Sequence, residues 1–319
     1  MTNGSVHTII LNWRTADMTL RSLEHAVAAM EGIEGGVTVV DNDSGDGSFE
    51  KMQAAVRDRG WDRSGRVRVV QSGHNGGFGA GNNAALHAPL ADGQMSDHVY
   101  LLNSDAFPQP GSIAILRDYL DAHGDVGIVG SYIVGTDGVP HQSAFRFPSI
   151  ASEFEGAIRF GPITRLLRRH VVPMPIPERP CQVDWVSGAS LMMRREAVNA
   201  IGGFDETFFL YFEETDLCRR AALAGWSTHY VPESVVAHEG SVSTGMKKWT
   251  RVPEYWFVSR QHYFTKNHGR LGAAAANLAH LAGGGLWRLR CVIQRRDRQD
   301  PPGFMRQLAG HAVRPQRRT

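Results

Sequence analysis

Short apolar runs alternate with helical patterns over the first 135 residues. HTIILN, VTVVD, RVRVVQ, HVYLLN and VGIVGSYIV are rich in β-branched residues and read as strands. They are continuous rather than alternating, the pattern of parallel strands covered on both faces. Between the first two, TADMTLRSLEHAVAAM sets Leu20, Leu23, Val27 and Met30 on one helical face, with Thr15 or Asp17 as N-cap. This β-α-β rhythm predicts an open α/β sheet, whose ligands bind beyond the carboxyl ends of the strands.

Each early strand ends in polar or turn-forming residues. The first ends in Asn12-Trp13-Arg14, the second in DNDSGDGS from Asp41, the third leads into HNGGFGAGNN, and the fourth ends in LNSDA. One such end is ordinary loop chemistry; four of them predict a polar rim. Seven prolines from Pro140 to Pro180 then interrupt the rhythm around AIRFGPITRLLRRH, read either as a basic amphipathic segment or as a solvated surface helix. Regular structure resumes at VDWVSGASLMMRREAVNAIGGF, with FEETDLCRRAALAGW as a helix, STHYVPESVVAHEG as strand-like runs, and a helical tail beyond Thr250.

Composition changes this picture little. The chain has 319 residues, 42% of them hydrophobic and 21% charged, enough for one large or two smaller soluble units. Its formal charge of +2 hides an asymmetry: nine arginines and two aspartates lie between Leu286 and Thr319. Such a tail fits an anionic neighbour, membrane or nucleic acid, or is a solvated terminus. Cys181, Cys218 and Cys291 are too scattered for a disulfide framework or a Cys-based zinc site, so a reducing cytosolic compartment is expected. MTNGSVHTIILNW lacks a basic n-region and does not read as a signal peptide. LGAAAANLAHLAGGGLW falls short of the ~20 apolar residues of a spanning helix.

Three stretches carry candidate chemistry. Asn75 to Asn83, NGGFGAGNN, is a glycine-rich loop between a strand and a helix, suited to close approach of a phosphate. It is neither the dinucleotide fingerprint nor a P-loop. Asp105 and His238 each end a strand-like run; alone each is a cap or structural residue, and together they make a ligand pair for Mg²⁺ or Mn²⁺ beside a diphosphate. LYFEETDLCRR crowds Glu213, Glu214 and Asp216 beside Tyr211 and Phe212. Such crowding raises a carboxylate pKa and strengthens a base, or it decorates a helix N-terminus, with Asp216 pairing Arg219 or Arg220.

The ordered set ILNW, VVDNDSGDGS, NGGFGAGNN, LLNSDA, SGASLMMRREAVNAIGGFDETFFLYFEETDLCRRAALAGW and VVAHEGSVS resembles the inverting family 2 glycosyltransferases with the GT-A fold, and within them the rhamnosyltransferase-like branch. The likeness runs from about Val6 to about Ser243. It implies an α/β fold: a mostly parallel open sheet flanked by helices, with a helical C-terminal extension. It also implies a catalytic domain over 1–245, with a nucleotide-sugar half (1–135) and an acceptor half (136–245), followed by a basic extension over 246–319.

The resemblance assigns roles. Asp41 and Asn42 match the pair that binds the donor nucleobase and ribose, beside Asn12 and Trp13; Trp13 stands where tyrosine is more usual. The Gly77–Asn83 stretch, with Phe78 and Asn82, matches the loop that closes around the nucleotide-sugar. Asn103-Ser104-Asp105 matches the metal-binding D-x-D motif with its first carboxylate replaced by an amide, so Asp105 carries the charge, and His238 matches a second metal ligand. Trp185 and Gly188 match the acceptor site. The family's general base aligns with Glu214, where the usual residue is aspartate; Glu213 and Asp216 stay as alternatives.

The implied reaction is inverting, metal-dependent transfer of a hexose from a nucleotide-sugar (dTDP-L-rhamnose first, UDP-sugar otherwise) to a saccharide or lipid-linked acceptor in cell-surface polysaccharide synthesis. The implied location is cytoplasmic, with peripheral contact at the inner membrane face as an option, and no nucleic acid is required. Two other readings stay open: a non-catalytic sugar- or nucleotide-binding relative, given the incomplete D-x-D, and a nucleotide-dependent oxidoreductase, which the misplaced glycines disfavour.

Overall fold

The computed structural model describes residues 3–63, 65–240, 250–297 and 300–313. The first part of the chain forms β1 (Val6–Asn12), α1 (Ala16–Ala29), β2 (Gly35–Asp41), α2 (Ser48–Asp58), β3 (Val67–Gln71) and α3 (Gly77–Leu86). Then come β4 (His98–Asn103), β5 (Ala106–Pro108), α4 (Ser112–Ala122), β6 (Val126–Gly135), β7 (Ala144–Phe145), α5 (Ile150–Ile158) and α6 (Gly161–Leu166). β8 (Cys181–Val183), β9 (Trp185–Val186), β10 (Ser190–Arg194), α7 (Arg195–Ile201), α8 (Glu213–Leu223) and β11 (Ser227–His238) follow, and α9 (Glu254–Ile293) and α10 (Phe304–Val313) end the chain.

The five strands expected in the first 135 residues all form. The main sheet has the order β3-β2-β1-β4-β10-β6-β11-β5, with β8 alongside β11. β3, β2, β1 and β4 pair in parallel. β10 runs antiparallel between β4 and β6, which returns β6 and its parallel neighbour β11 to the common direction. The continuous apolar runs follow from burial on both faces. Ile10, Val39, Leu102 and Met192 face one core, with α1, α2 and α4; Ile9, Val40, Leu101 and Leu191 face the other, with α7 and α8. The register then aligns the strand ends. Asn12 stands opposite Asp41, Asp41 opposite Gln71, and Asn103 one position back opposite Leu11.

Three local expectations change. Thr15 is at the N-cap of α1 but its side chain makes no capping bond. Asn12, at the end of β1, takes that place: its Oδ1 accepts from Thr15 N (3.3 Å) and Thr19 Oγ1 (2.7 Å). The glycine-rich stretch is not an open loop, because α3 begins at Gly77 and takes in Gly79 and Gly81. Its glycines serve packing: a Cβ at Gly79 would meet Phe204 at 2.9 Å, and one at Gly81 would meet Leu11 at 2.5 Å. The basic segment splits between the end of α5, α6 and a short 3₁₀ turn, and α6 buries no residue. It is a surface element.

α9 bends at Gly269 (φ 71°, ψ 173°), so two stretches of helix meet there at a kink. The first lays Tyr263 and Phe264 against Phe208 and Phe212. The second packs on α5 so closely that a Cβ at Gly283 would lie 2.7 Å from the Phe154 carbonyl. Ser241 to Ser243, the end of the last sequence motif, and Arg298, Arg314, Arg317 and Arg318 of the basic tail lie outside the described residues.

Candidate active site

The polar rim is assembled by register, and its first members hold one another. Asp41 is 1% exposed; its Oδ1 accepts from Asn12 Nδ2 (2.7 Å) and Ser44 Oγ (2.6 Å), and its Oδ2 from Ser44 N (3.2 Å). Asn12 is fully buried and aims Asp41. Asn42 joins the end of β2 to the start of α3, donating to Asn75 Oδ1 (3.0 Å) and Gly77 O (3.1 Å) and accepting from Ser72 Oγ (3.1 Å). Trp13 is half-buried beneath the Arg14 guanidinium, 5.2 Å from its ring centroid. Asn82 is buried, and its side chain donates to Phe78 O inside α3. The main chain of Asn103 is anchored on both sides, by Ala189 O and by Ser22 Oγ.

At the other end of the rim, β11 delivers His238 to Asp105. His238 is in register with Ala106 of β5, so its Nε2 comes to 3.0 Å from Asp105 Oδ1. The Glu239 amide donates to the Asp105 carbonyl. Asp105 is 5% exposed and His238 is half-buried. Among the described residues no group of three His, Cys, Asp or Glu side chains gathers around one point. A carboxylate oxygen and an imidazole nitrogen suit a divalent ion whose remaining positions belong to phosphate oxygens and water. The donor set fits Mg²⁺ or Mn²⁺, held jointly with a diphosphate.

The carboxylates Glu213, Glu214 and Asp216 sit at the first, second and fourth positions of α8, after a contorted turn. Tyr211 and Phe212 both adopt φ of 70°, the left-handed region that bulky residues avoid. Each such residue costs ~1–3 kcal/mol and persists only where its surroundings hold it. Here α9 is the brace: the Phe212 ring lies 5.4 Å from that of Tyr263 and 6.1 Å from that of Trp256, and Ser259 Oγ donates to Leu210 O. On the other side α3 clamps the turn. Phe78 N donates to Phe209 O (3.0 Å), and Gly77, at φ +91°, brings its backbone so close that a Cβ would lie 1.8 Å from that oxygen.

The turn separates the roles of the three carboxylates. Asp216 is fully buried and paired, to Arg220 Nε (2.7 Å) and Lys266 Nζ (2.9 Å), the latter from α9. Glu213 is 3% exposed, and among the described residues neither its Oε2 nor that of Glu214 has a hydrogen-bond partner. Burial, and then the charge of Glu214, push the Glu213 pKa well above the ordinary value. Glu214 is also raised by burial, but its own amide and that of Gly188 donate to it and favour the ionised form. Two such close carboxylates do not both ionise. Burial and the charge of Glu214 favour the proton on Glu213, and the Gly188 amide favours the charge on Glu214.

Glu214 lines a cavity of about 420 Å³, together with Trp185, Tyr211, Phe212, Trp256, Glu153 and His280 among others. Glu213 and Asp216 do not line it. Trp185 is held by stacking on Phe145, centroids 4.0 Å apart, and by donation from Nε1 to Arg146 O. Gly188 lies between Phe78 and Glu214; a Cβ there would be 3.4 Å from Phe78 Cζ and 3.7 Å from Glu214 Oε1. Neither Gly188 nor Phe78 lines the cavity itself.

Several contributors escaped the sequence reading. Glu153 accepts from Arg260 Nη2 (2.8 Å) and faces His280 Nδ1 (2.6 Å). Burial alone would raise the Glu153 pKa, but Arg260 and His280 outweigh it and hold it below the ordinary carboxylate range. Lys266 and the Phe209 carbonyl likewise enter from α9 and the turn. Arg260, Lys266 and His280 lie in the tail that the sequence marks as helical, whereas nothing in the sequence pointed to Glu153 or to the Phe209 carbonyl.

Comparison with known proteins identifies the family and the fold. A model for glycosyltransferase like family 2 matches residues 4–264. The chain is 34% identical over 222 residues to N-acetylglucosaminyl-diphospho-decaprenol L-rhamnosyltransferase of Mycobacterium tuberculosis, covering 66% of this chain and 68% of that one. It is 26% identical over 176 residues to rhamnosyltransferase WbbL of Escherichia coli, covering 51% and 60%. Among solved structures, the mannosyltransferase PcManGT from Pyrobaculum calidifontis with GDP-Man and Mn²⁺ superposes with a TM-score of 0.54 at 15% identity, over 98% of this chain and 86% of that one. GalNAc-T7 with UDP, GalNAc and Mn²⁺ gives 0.59 at 13% identity, over 97% and 57%. With a rim of strand ends, a strained turn bearing paired glutamates, and this match over most of its length, the chain belongs to glycosyltransferase like family 2 and has the GT-A fold.

Proposed function

We propose that this chain transfers L-rhamnose from dTDP-L-rhamnose to a hydroxyl of a lipid-linked saccharide, with inversion, in cell-surface polysaccharide synthesis. The names of its relatives support the sugar and the lipid-linked acceptor. The observation that carries the mechanism is that Glu214, alone of the three carboxylates, faces the 420 Å³ cavity.

An acceptor hydroxyl is a poor nucleophile at neutral pH and needs a base at the moment of attack. Glu214, ionised and held by the Gly188 amide, takes that proton as the hydroxyl oxygen bonds to the anomeric carbon. The bond from that carbon to the diphosphate breaks, and a single displacement inverts the centre. Glu213 stays protonated, which keeps the negative charge on its neighbour. Trp185, Tyr211 and Trp256 offer aromatic faces to the acceptor. The donor nucleotide lies along the rim of Trp13, Asp41, Asn42 and Asn103, with its diphosphate at Asp105 and His238. When bound there, Mg²⁺ or Mn²⁺ offsets the charge that develops on the leaving diphosphate.

In this reading residues 1–135 form the donor half and 136–245 the acceptor half. The 246–319 extension adds Trp256 and His280 to the acceptor wall. The three free cysteines fit the reducing cytoplasmic side of the membrane. The test is a donor screen: the purified chain is given dTDP-, UDP- and GDP-sugars with lipid-linked saccharides, and nucleoside diphosphate release is followed. Acceptor-dependent release of dTDP from dTDP-L-rhamnose supports the assignment. Preference for another sugar nucleotide overturns the rhamnose assignment, and no release with any donor overturns the transferase mechanism.

A further inference from the structure

The second half of α9 buries one face and leaves another bare. Gly283, Gly284, Trp287 and Cys291 are buried, whereas Leu271, Leu278, Leu286, Leu289 and Ile293 are between 51% and 88% exposed. At 3.6 residues per turn these five fall within an arc of roughly 80°, a stripe about 33 Å long. Val292, 60% exposed, extends one edge. Among the described residues nothing covers the stripe. Contiguous exposed apolar surface of this kind marks a contact site.

Cations border it. Arg270, Arg295 and Arg296 are exposed on or just beyond α9. The link between α5 and α6 abuts the same half of the helix: the Arg290 guanidinium lies 4.9 Å from the Phe160 ring centroid, and that of Arg159 lies 4.4 Å from the Trp287 ring. Leu166 of α6 is 77% exposed, and Arg165, Arg168 and Arg169 beside it are exposed. None of those three arginines forms an ion pair among the described residues. No helix among them is long and apolar enough to cross a membrane.

We infer that the stripe on α9, with α6, is a docking surface for an anionic lipid bilayer, on which the helix lies in the interfacial plane. An apolar stripe flanked by arginines is the pattern of such helices, and anionic headgroups supply the complementary charge. A second copy of the chain would set arginine against arginine along the same stripe. The inference stands without the transferase reading, since vesicle binding is measured without sugar transfer.

The experiment uses the full chain and floating vesicles, either pure phosphatidylcholine or a mixture with phosphatidylglycerol. The wild type is expected on the anionic vesicles with at least tenfold stronger partitioning than on neutral ones. Leu286→Glu/Leu289→Glu/Ile293→Glu replaces exposed side chains, so its thermal midpoint stays at the wild-type value while partitioning drops at least tenfold. Arg165→Glu/Arg168→Glu/Arg169→Glu loses the preference for anionic vesicles. Absence of wild-type binding, or unchanged binding of the stripe variant, overturns the inference. So does a sedimentation result in which the wild type is a dimer and the stripe variant a monomer, which would assign the stripe to a second copy.

Discussion

Gly77→Ala tests whether α3 holds the catalytic turn. Gly77 has φ of +91°, and an alanine methyl would lie 1.8 Å from the Phe209 carbonyl oxygen. Holding a non-glycine residue in the left-handed region costs ~1–2 kcal/mol. Relief of the clash requires the carbonyl to retreat, which breaks the Phe78 N–H bond to it. That bond contributes ~0.5–1.5 kcal/mol. With residual strain in the turn, the destabilisation comes to about 2–4 kcal/mol, a drop in thermal midpoint on the order of 5 °C for a chain of this size.

The functional effect is larger than the thermal one. Phe209 leads into Tyr211 and Phe212, which set the start of α8, so its displacement moves Glu214. A shift of ~1 Å at a catalytic group costs on the order of 10²-fold in turnover. Calorimetry and acceptor-dependent nucleoside diphosphate release, run together, read both effects. Gly188→Ala is the control: its methyl meets only ordinary contacts, so the midpoint stays unchanged while acceptor KM rises beside Glu214. Wild-type midpoint and turnover in Gly77→Ala would refute the clamp.

Other consequences follow from the paired glutamates and the rim. The Glu213 pKa is raised in the folded chain, so its contribution to stability is complete below the ordinary value of 4.5 and is lost as pH rises through the raised one. Glu213→Gln, neutral at every pH, flattens that alkaline decline in denaturant titrations; identical pH profiles for variant and wild type would remove the proton from Glu213. Mn²⁺ should strengthen dTDP binding to the wild type at least tenfold by calorimetry, and Asp105→Asn should lose that increment. Equal wild-type affinity with Mn²⁺ and with EDTA would count against a metal between Asp105 and His238.

The sheet was legible because its strands are buried on both faces: HTIILN and HVYLLN have no polar alternation to confuse, and their ends name the rim. The carboxylates were legible as a crowd beside aromatics. Their division of labour was not, because it depends on which side of the Phe212 turn each faces. Gly77 carries a constraint that its sequence context does not show. The sequence explains it by phosphate approach, whereas in the fold its bare backbone admits the Phe209 carbonyl, more than 130 residues away. Three glycines in ten residues also hid α3, where close packing on Phe204 and Leu11 overrides weak helix propensity. Glu153 and His280, 127 residues apart, meet only because α9 returns to α5.

The central claim is that Glu214 takes the acceptor proton. Glu214→Gln keeps the size of the side chain and removes its basicity. Turnover with dTDP-L-rhamnose and a lipid-linked saccharide is predicted to fall by about 10²–10⁴-fold, with donor affinity near wild type. Turnover above about a tenth of wild type, far outside that range, would contradict the assignment and return the role of base to Glu213 or Asp216.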